Sequence, residues 1–171
     1  MKMKPLFIIL IVIFTVLGYA LRRKIPKTDI QHENKEKILS CKVRVVDENI
    51  DFSITESYAF YFDNKEDKLT KYIQTMSFDY NSDDAVNEYA EKNYNSAIEM
   101  CNGVKDISGV YCSIKNNKKT NFVVEFGVYL TELDENGEIS NRLNNLKEAS
   151  YNQIYEEFVT VNKWKCETYF E

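Results

Sequence analysis

Between Asp51 and Phe62 one side of an extended chain carries Phe52, Ile54, Tyr58, Phe60 and Phe62, and polar residues take most of the alternate positions. A period of two belongs to a strand with one buried face. The pattern resumes from Leu69 to Tyr80 through Tyr72, Met76, Phe78 and Tyr80, after the polar stretch Asp-Asn-Lys-Glu-Asp at 63–67. Two such runs across so short a connection predict a long antiparallel hairpin.

A β-branched run from Lys42 to Val46 precedes the hairpin, and a helix is predicted after it. Ser82 supplies an N-cap, Asp83 and Asp84 sit in the first turn, and Val86, Ala90, Tyr94, Ala97 and Cys101 recur at helical spacing until Gly103. A second strand pair covers Ile107–Ile114 and Asn121–Leu130 around a polar turn at Asn116–Lys119, with Phe122, Val124, Phe126, Val128 and Leu130 on one face. Residues 132–149 are acidic and Asn-rich, and read as a loop with a turn of helix. Ser150 and Gln153 fit a capping box for a short helix to about Thr160 that buries Ile154 and Phe158. Trp164 to Phe170 closes the chain as a strand with Trp164, Cys166, Thr168 and Phe170 on one side. Adjacent hairpins with two helices to cover one face predict an α+β fold: an antiparallel sheet of five to six strands whose other face stays wet.

The N-terminus sets a second constraint. Pro5 to Leu21 form an uncharged apolar run, with Lys2 and Lys4 before it and Arg22, Arg23, Lys24 and Lys27 after it. As a helix rising about 1.5 Å per residue it spans close to the hydrocarbon thickness of a bilayer, and basic flanks suit a membrane better than a protein core. Gly18 and Ala20 occupy the minus-three and minus-one positions of a signal-peptidase site after Ala20. The Leu-Arg-Arg-Lys that follows opposes export of a cleaved chain and favours an uncleaved anchor. The expected organisation is an anchor or signal segment at 1–24, a polar tether at 25–40 and an extracytoplasmic domain at 41–171.

Two rules conflict over orientation. The downstream excess of Lys and Arg, taken alone, retains the C-terminal part in the cytoplasm. The four cysteines, Cys41, Cys101, Cys112 and Cys166, are an even set without the C-x-x-C spacing of a cytosolic zinc or thioredoxin-type site, and they place the domain in an oxidising compartment. We give the cysteines precedence: a single-pass membrane protein with its C-terminal domain outside the cytosol. No cysteine follows the apolar run, so the lipidation signal of bacterial lipoproteins is missing and the helix itself is the anchor.

Of the 22 basic residues six lie in the first 27 positions, so sixteen face 27 acidic ones downstream, a net charge of −11. Such a domain repels phosphate backbones, which excludes nucleic acid as the expected partner. Membrane lipid, through the N-terminal helix, and an unidentified protein or envelope component are the partners compatible with the chain.

The Cys-bearing first strand, the hairpin YxFYFDNKEDKLTK at 58–71, the helix, ISGVY at 107–111 and the capped helix running into WKCE at 164–167 together resemble a bacterial group. The chain is similar, over roughly residues 41–168, to the YehR-like extracytoplasmic lipoproteins and their membrane-anchored relatives in low-GC Gram-positive bacteria. The resemblance implies location and fold without chemistry. It also suggests a bridge between the first and last strands, Cys41 to Cys166. Four cysteines allow three connectivities. Cys101 ends a helix and Cys112 follows on the next strand, close enough for a local clasp.

No residue is assigned a catalytic, cofactor-binding or metal-ligating role, and no cofactor is implied. The only histidine, His32, lies in the tether, so hydrolysis by a nucleophile with a histidine base is not expected. Asp134, Glu135, Asn136 and Glu138 around Gly137 lack the alternation of an EF-hand and read as a solvated acidic turn. Carboxylates are too numerous for any pair to be chosen as a glycosidase dyad. Tyr61, Tyr72, Tyr80, Tyr111 and Tyr129 fall on strands where they could line a groove for peptide or glycan, although half-buried sheet packing accounts for such residues more often. The expected function is non-catalytic binding or structural; the alternative is a membrane-tethered thiol-disulfide factor, which requires an exposed, reactive thiol.

Overall fold

The computed structural model describes residues 36–47, 52–80, 84–133, 141, 143 and 146–171. The apolar run, most of the tether, the Ser82 cap and the acidic turn at 134–138 lie outside these residues. Six strands form one antiparallel sheet: β1 (Lys37–Asp47), β2 (Phe52–Asp63), β3 (Lys68–Tyr80), β4 (Val110–Lys118), β5 (Asn121–Tyr129) and β6 (Lys165–Phe170), in the order β4-β5-β3-β2-β1-β6. Helix α1 (Asp84–Val104) joins β3 to β4. The short α2 (Tyr151–Tyr155) runs into a π-helical turn (Glu156–Val161) before β6. No helix among the described residues is long and apolar enough to cross a membrane.

The alternation dictates which face is covered. Tyr58, Phe60 and Phe62 of β2 share a face with Tyr72, Met76, Phe78 and Tyr80 of β3 and Phe122, Val124, Phe126 and Val128 of β5, and all are buried. Both helices lie on this face, over different parts of it. Ala90, Ala97 and Tyr94 of α1 pack on Phe78, Phe122 and Val124. Ile154 and Phe158 pack on Tyr58, Phe60 and Phe62. The capping box forms as expected, with Gln153 N–H donating to the Ser150 hydroxyl and Ser150 N–H to the Gln153 side chain.

Three sequence expectations are revised. The domain does not begin at Cys41: β1 starts at Lys37, and Ile38 and Leu39 are fully buried, so the last residues of the supposed tether belong to the sheet. The predicted start of the second strand pair at Ile107 moves to Val110, and β4 runs on through the predicted turn to Lys118, with a register shift between Lys115 and Lys118. Residues 132–149 hold the expected turn of helix, with positions 141, 143, 146 and 147 helical, and they also cover the core. Leu133, Leu143, Leu146 and Ala149 are buried in the same cluster as Phe60, and Leu69 N–H donates to the Ala149 carbonyl. Acidic and Asn neighbours mask these four apolar side chains, although Leu143, Leu146 and Ala149 follow one another at a spacing of three.

Cysteines fasten both helix-bearing halves. Cys101 on α1 is bridged to Cys112 on β4, and Cys41 on β1 to Cys166 on β6; no free cysteine is present among the described residues. The second bridge follows from strand register. Glu36 and Glu171 exchange both backbone hydrogen bonds, so the alternation of an antiparallel ladder makes Cys41 and Cys166 a non-hydrogen-bonded pair, where facing side chains approach most closely. Gly109 opens β4 with φ at +73°. A side chain there would meet the Tyr129 carbonyl oxygen at 2.8 Å and the backbone of Glu132 and Leu133 at 2.9 Å, so only glycine fits.

Candidate functional site

The strand register divides the tyrosines singled out above between the two faces of the sheet. Tyr72 and Tyr80 share the parity of Met76 and Phe78, are buried under the helices and line no groove, which corrects their inclusion with the others. Tyr61, Tyr111 and Tyr129 have the opposite parity and lie on the face that no helix among the described residues covers. There, Tyr61 of β2 pairs with Lys71 of β3, which pairs with Tyr129 of β5. In the same row Ile38 pairs with both Tyr61 and Tyr169 of β6. The result is a row of Tyr169, Ile38, Tyr61, Lys71 and Tyr129 across five strands, with Tyr111 of β4 beside Tyr129, ring centroids 5.9 Å apart.

Lys71 is the centre of this row, and sequence reasoning passed over it. Its ammonium sits 3.8 Å from the Tyr61 ring centroid and 5.3 Å from that of Tyr129, within cation–π range of both. A lysine on the wet side of a strand draws no attention until register places it between two tyrosines.

The row beside it begins at Glu167 of β6, register partner to Ser40. Ser40, Ala59, Ile73 and Gly127 continue it strand by strand, and Tyr111 lies across Gly127. A Cβ on Gly127 would fall 2.0 Å from the Tyr111 ring, so the glycine creates the space the ring fills. Further along come the hydroxyls of Ser57 and Thr75, then Thr55 and Ser77. Burial, then the negative charge of Glu125 and the neighbouring Tyr129 and Tyr61, push the Tyr111 phenol up to about 12. Burial, with Tyr169, Glu171 and Glu36 nearby, raises Tyr61. Both phenols therefore stay protonated and can donate hydrogen bonds at neutral pH.

A second polar group lies on the covered face, where the two core clusters meet. One Glu56 carboxylate oxygen accepts from the Tyr58 hydroxyl at 2.7 Å and from the Gln74 amide at 2.6 Å. Burial raises the Glu56 carboxyl above its usual range, and the two hydrogen bonds offset this only in part. Sequence does hold a signal here: Glu56 and Gln74 each interrupt an otherwise apolar alternation, and Gln74 is register partner to Tyr58. A raised folded-state value means the folded protein binds this proton more tightly than the unfolded chain. Stability therefore falls as pH rises from the ordinary carboxylate value of 4.5 through the raised one, then levels off. Glu56→Gln keeps an oxygen to accept both bonds and carries no charge. Urea unfolding at a series of pH values is expected to show the variant more stable than the parent above that window, equal to it below, and without that part of the slope.

The four cysteines form two bridges; Cys41 is fully buried, and neither pair has the C-x-x-C spacing. Among the described residues no group of three or more His, Cys, Asp or Glu side chains is placed to hold a metal ion.

A scan of family models finds no match to the sequence, and no curated protein matches it. Among solved structures, the NMR structure of a protein from Streptococcus pneumoniae TIGR4 is similar, with a TM-score of 0.50 and 10% sequence identity over 85% of this chain and 93% of that one. At that identity the likeness bears on the fold alone, an antiparallel α+β sheet with two helices.

Proposed function

We propose that this chain is a membrane-anchored, extracytoplasmic domain without catalytic activity that binds an envelope component through the uncovered face of its sheet. The observation that carries the binding role is the Tyr61–Lys71–Tyr129 row, with Tyr111 and Tyr169 at its flanks: large amphipathic rings in fixed positions on a face that no described helix covers. The extracytoplasmic location is supported by the pairing of all four cysteines, and the anchor by the uncharged run from Pro5 to Leu21. The resemblance to the YehR-like extracytoplasmic proteins is of the same sense.

The test is retention of the full-length protein, in detergent, by washed envelope material from cells of its own host. The parent protein is expected to be retained, and the Tyr61→Ala/Tyr129→Ala variant to be released while keeping its melting temperature within a few degrees. Equal retention of parent and variant, or none of either, overturns the assignment of this face.

A further inference from the structure

We infer that the Tyr61–Lys71–Tyr129 row is a subsite for an anionic carbohydrate chain, with sugar rings stacked on the tyrosines and an acidic substituent paired with Lys71. The inference rests on the binding role proposed for this face and names the class of ligand.

Charge points to an anion. Residues 28–171 carry sixteen basic and 27 acidic side chains, yet no carboxylate of the described residues lies within ion-pair distance of Lys71. Its partners among the described residues are two aromatic rings, which hold the ammonium in place and carry no formal charge to balance it. The same face carries Lys42 and Lys165 opposite each other on β1 and β6, with Arg44 further along β1 and all three exposed. Of the acidic groups on this face, Glu125 is tied to Lys115 at 2.7 Å, Asp79 accepts from the Asn121 side-chain amide at 3.4 Å, Glu167 is register partner to Ser40, and Glu36 and Glu171 stand at the strand ends beside Tyr61. The face is thus richer in basic groups than the rest of an acidic domain, and Lys71 opposes a cationic ligand.

Shape and hydrogen bonding point to sugar. Tyr61 and Tyr129 are on strands two apart, about 10 Å at the spacing of a sheet, the reach of a disaccharide. A phenol hydroxyl both donates and accepts, as sugar hydroxyls do. The adjoining row offers the small side chains of Ser40 and Ala59, and beyond it lie serine and threonine hydroxyls. An extended peptide gains its affinity from backbone pairing at a sheet edge, and this site is on a sheet face.

The test is calorimetric titration of the full-length protein in neutral detergent with tetragalacturonate, beside maltotetraose as neutral sugar and tetraglutamate as a polyanion without sugar. Tetragalacturonate is expected to bind, more weakly as salt is added. Lys71→Gln is expected to weaken it about tenfold or more, with Lys71→Arg restoring most of the affinity and the melting temperature unchanged in both. Maltotetraose or tetraglutamate binding as tightly as tetragalacturonate, indifference to Lys71→Gln, or no tetragalacturonate binding at millimolar concentration overturns the inference. If envelope retention still depends on Tyr61 and Tyr129 when tetragalacturonate fails to bind, the face remains a binding surface and only the ligand class is wrong. Loss of both removes the binding role as well.

Discussion

Replacing Cys41 and Cys166 together by serine is expected to cost the domain about 4–5 kcal/mol, enough to leave much of it unfolded at 37 °C. The bridge spans 125 residues, nearly the whole described sheet, so its removal releases the largest loop the unfolded chain can gain. It also joins the edge strand β6 to the rest of the sheet. The loss of the fully buried Cys41 sulfur adds a second cost, because a serine hydroxyl takes its place among apolar neighbours. The Cys101–Cys112 clasp spans 11 residues, and the same double replacement there is expected to cost about 3 kcal/mol. Urea midpoints of the two double variants, measured against the parent, check both the size and the order. A larger loss at the short clasp contradicts the loop-closure account.

Phe60→Ala is expected to cost about 3–5 kcal/mol. The ring is 1% exposed and packs edge-on against Phe158 at 4.9 Å, parallel to Tyr58 at 5.6 Å and tilted against Tyr72 at 6.4 Å. It therefore joins β2 and β3 to the π-helical turn that leads into β6. None of these partners can collapse into the gap without moving a strand, and the cavity persists. Thermal unfolding of the variant with both disulfides intact gives the value, and a loss below about 1 kcal/mol contradicts the placement of Phe60 at the centre of this cluster.

The sheet was legible because it is built on a period of two. In β2, β3 and β5 the residues that share a side in sequence share the covered face in space, and the Ser150–Gln153 box marked the start of α2 unaided. The alternation fails where it is diluted. Ile38 and Leu39 are consecutive and both buried, one on each face, so they present no period, and the first residues of their strand read as tether. Leu133, Leu143 and Leu146 cover the core from a segment whose acidic, Asn-rich composition reads as a loop with a turn of helix.

The candidate site was half legible. The parity of Tyr61, Tyr111 and Tyr129 already separates them from Tyr72 and Tyr80, since it opposes that of the apolar series in each strand. Lys71 and Gly127 gain their meaning only from cross-strand register, which places one between two rings and the other beneath a third. Register between strands distant in sequence is set by hairpin turns and packing. No single stretch of chain contains it.

Sulfur chemistry in the living cell tests the compartment and the architecture together. The protein is taken from membranes after quenching with an alkylating agent, digested without reduction, and its peptides are mapped. The fold and location predict two cross-linked species, one joining the peptides of Cys41 and Cys166 and the other those of Cys101 and Cys112, with no alkylated cysteine. Four alkylated thiols, or a bridge between members of different pairs, contradict that account.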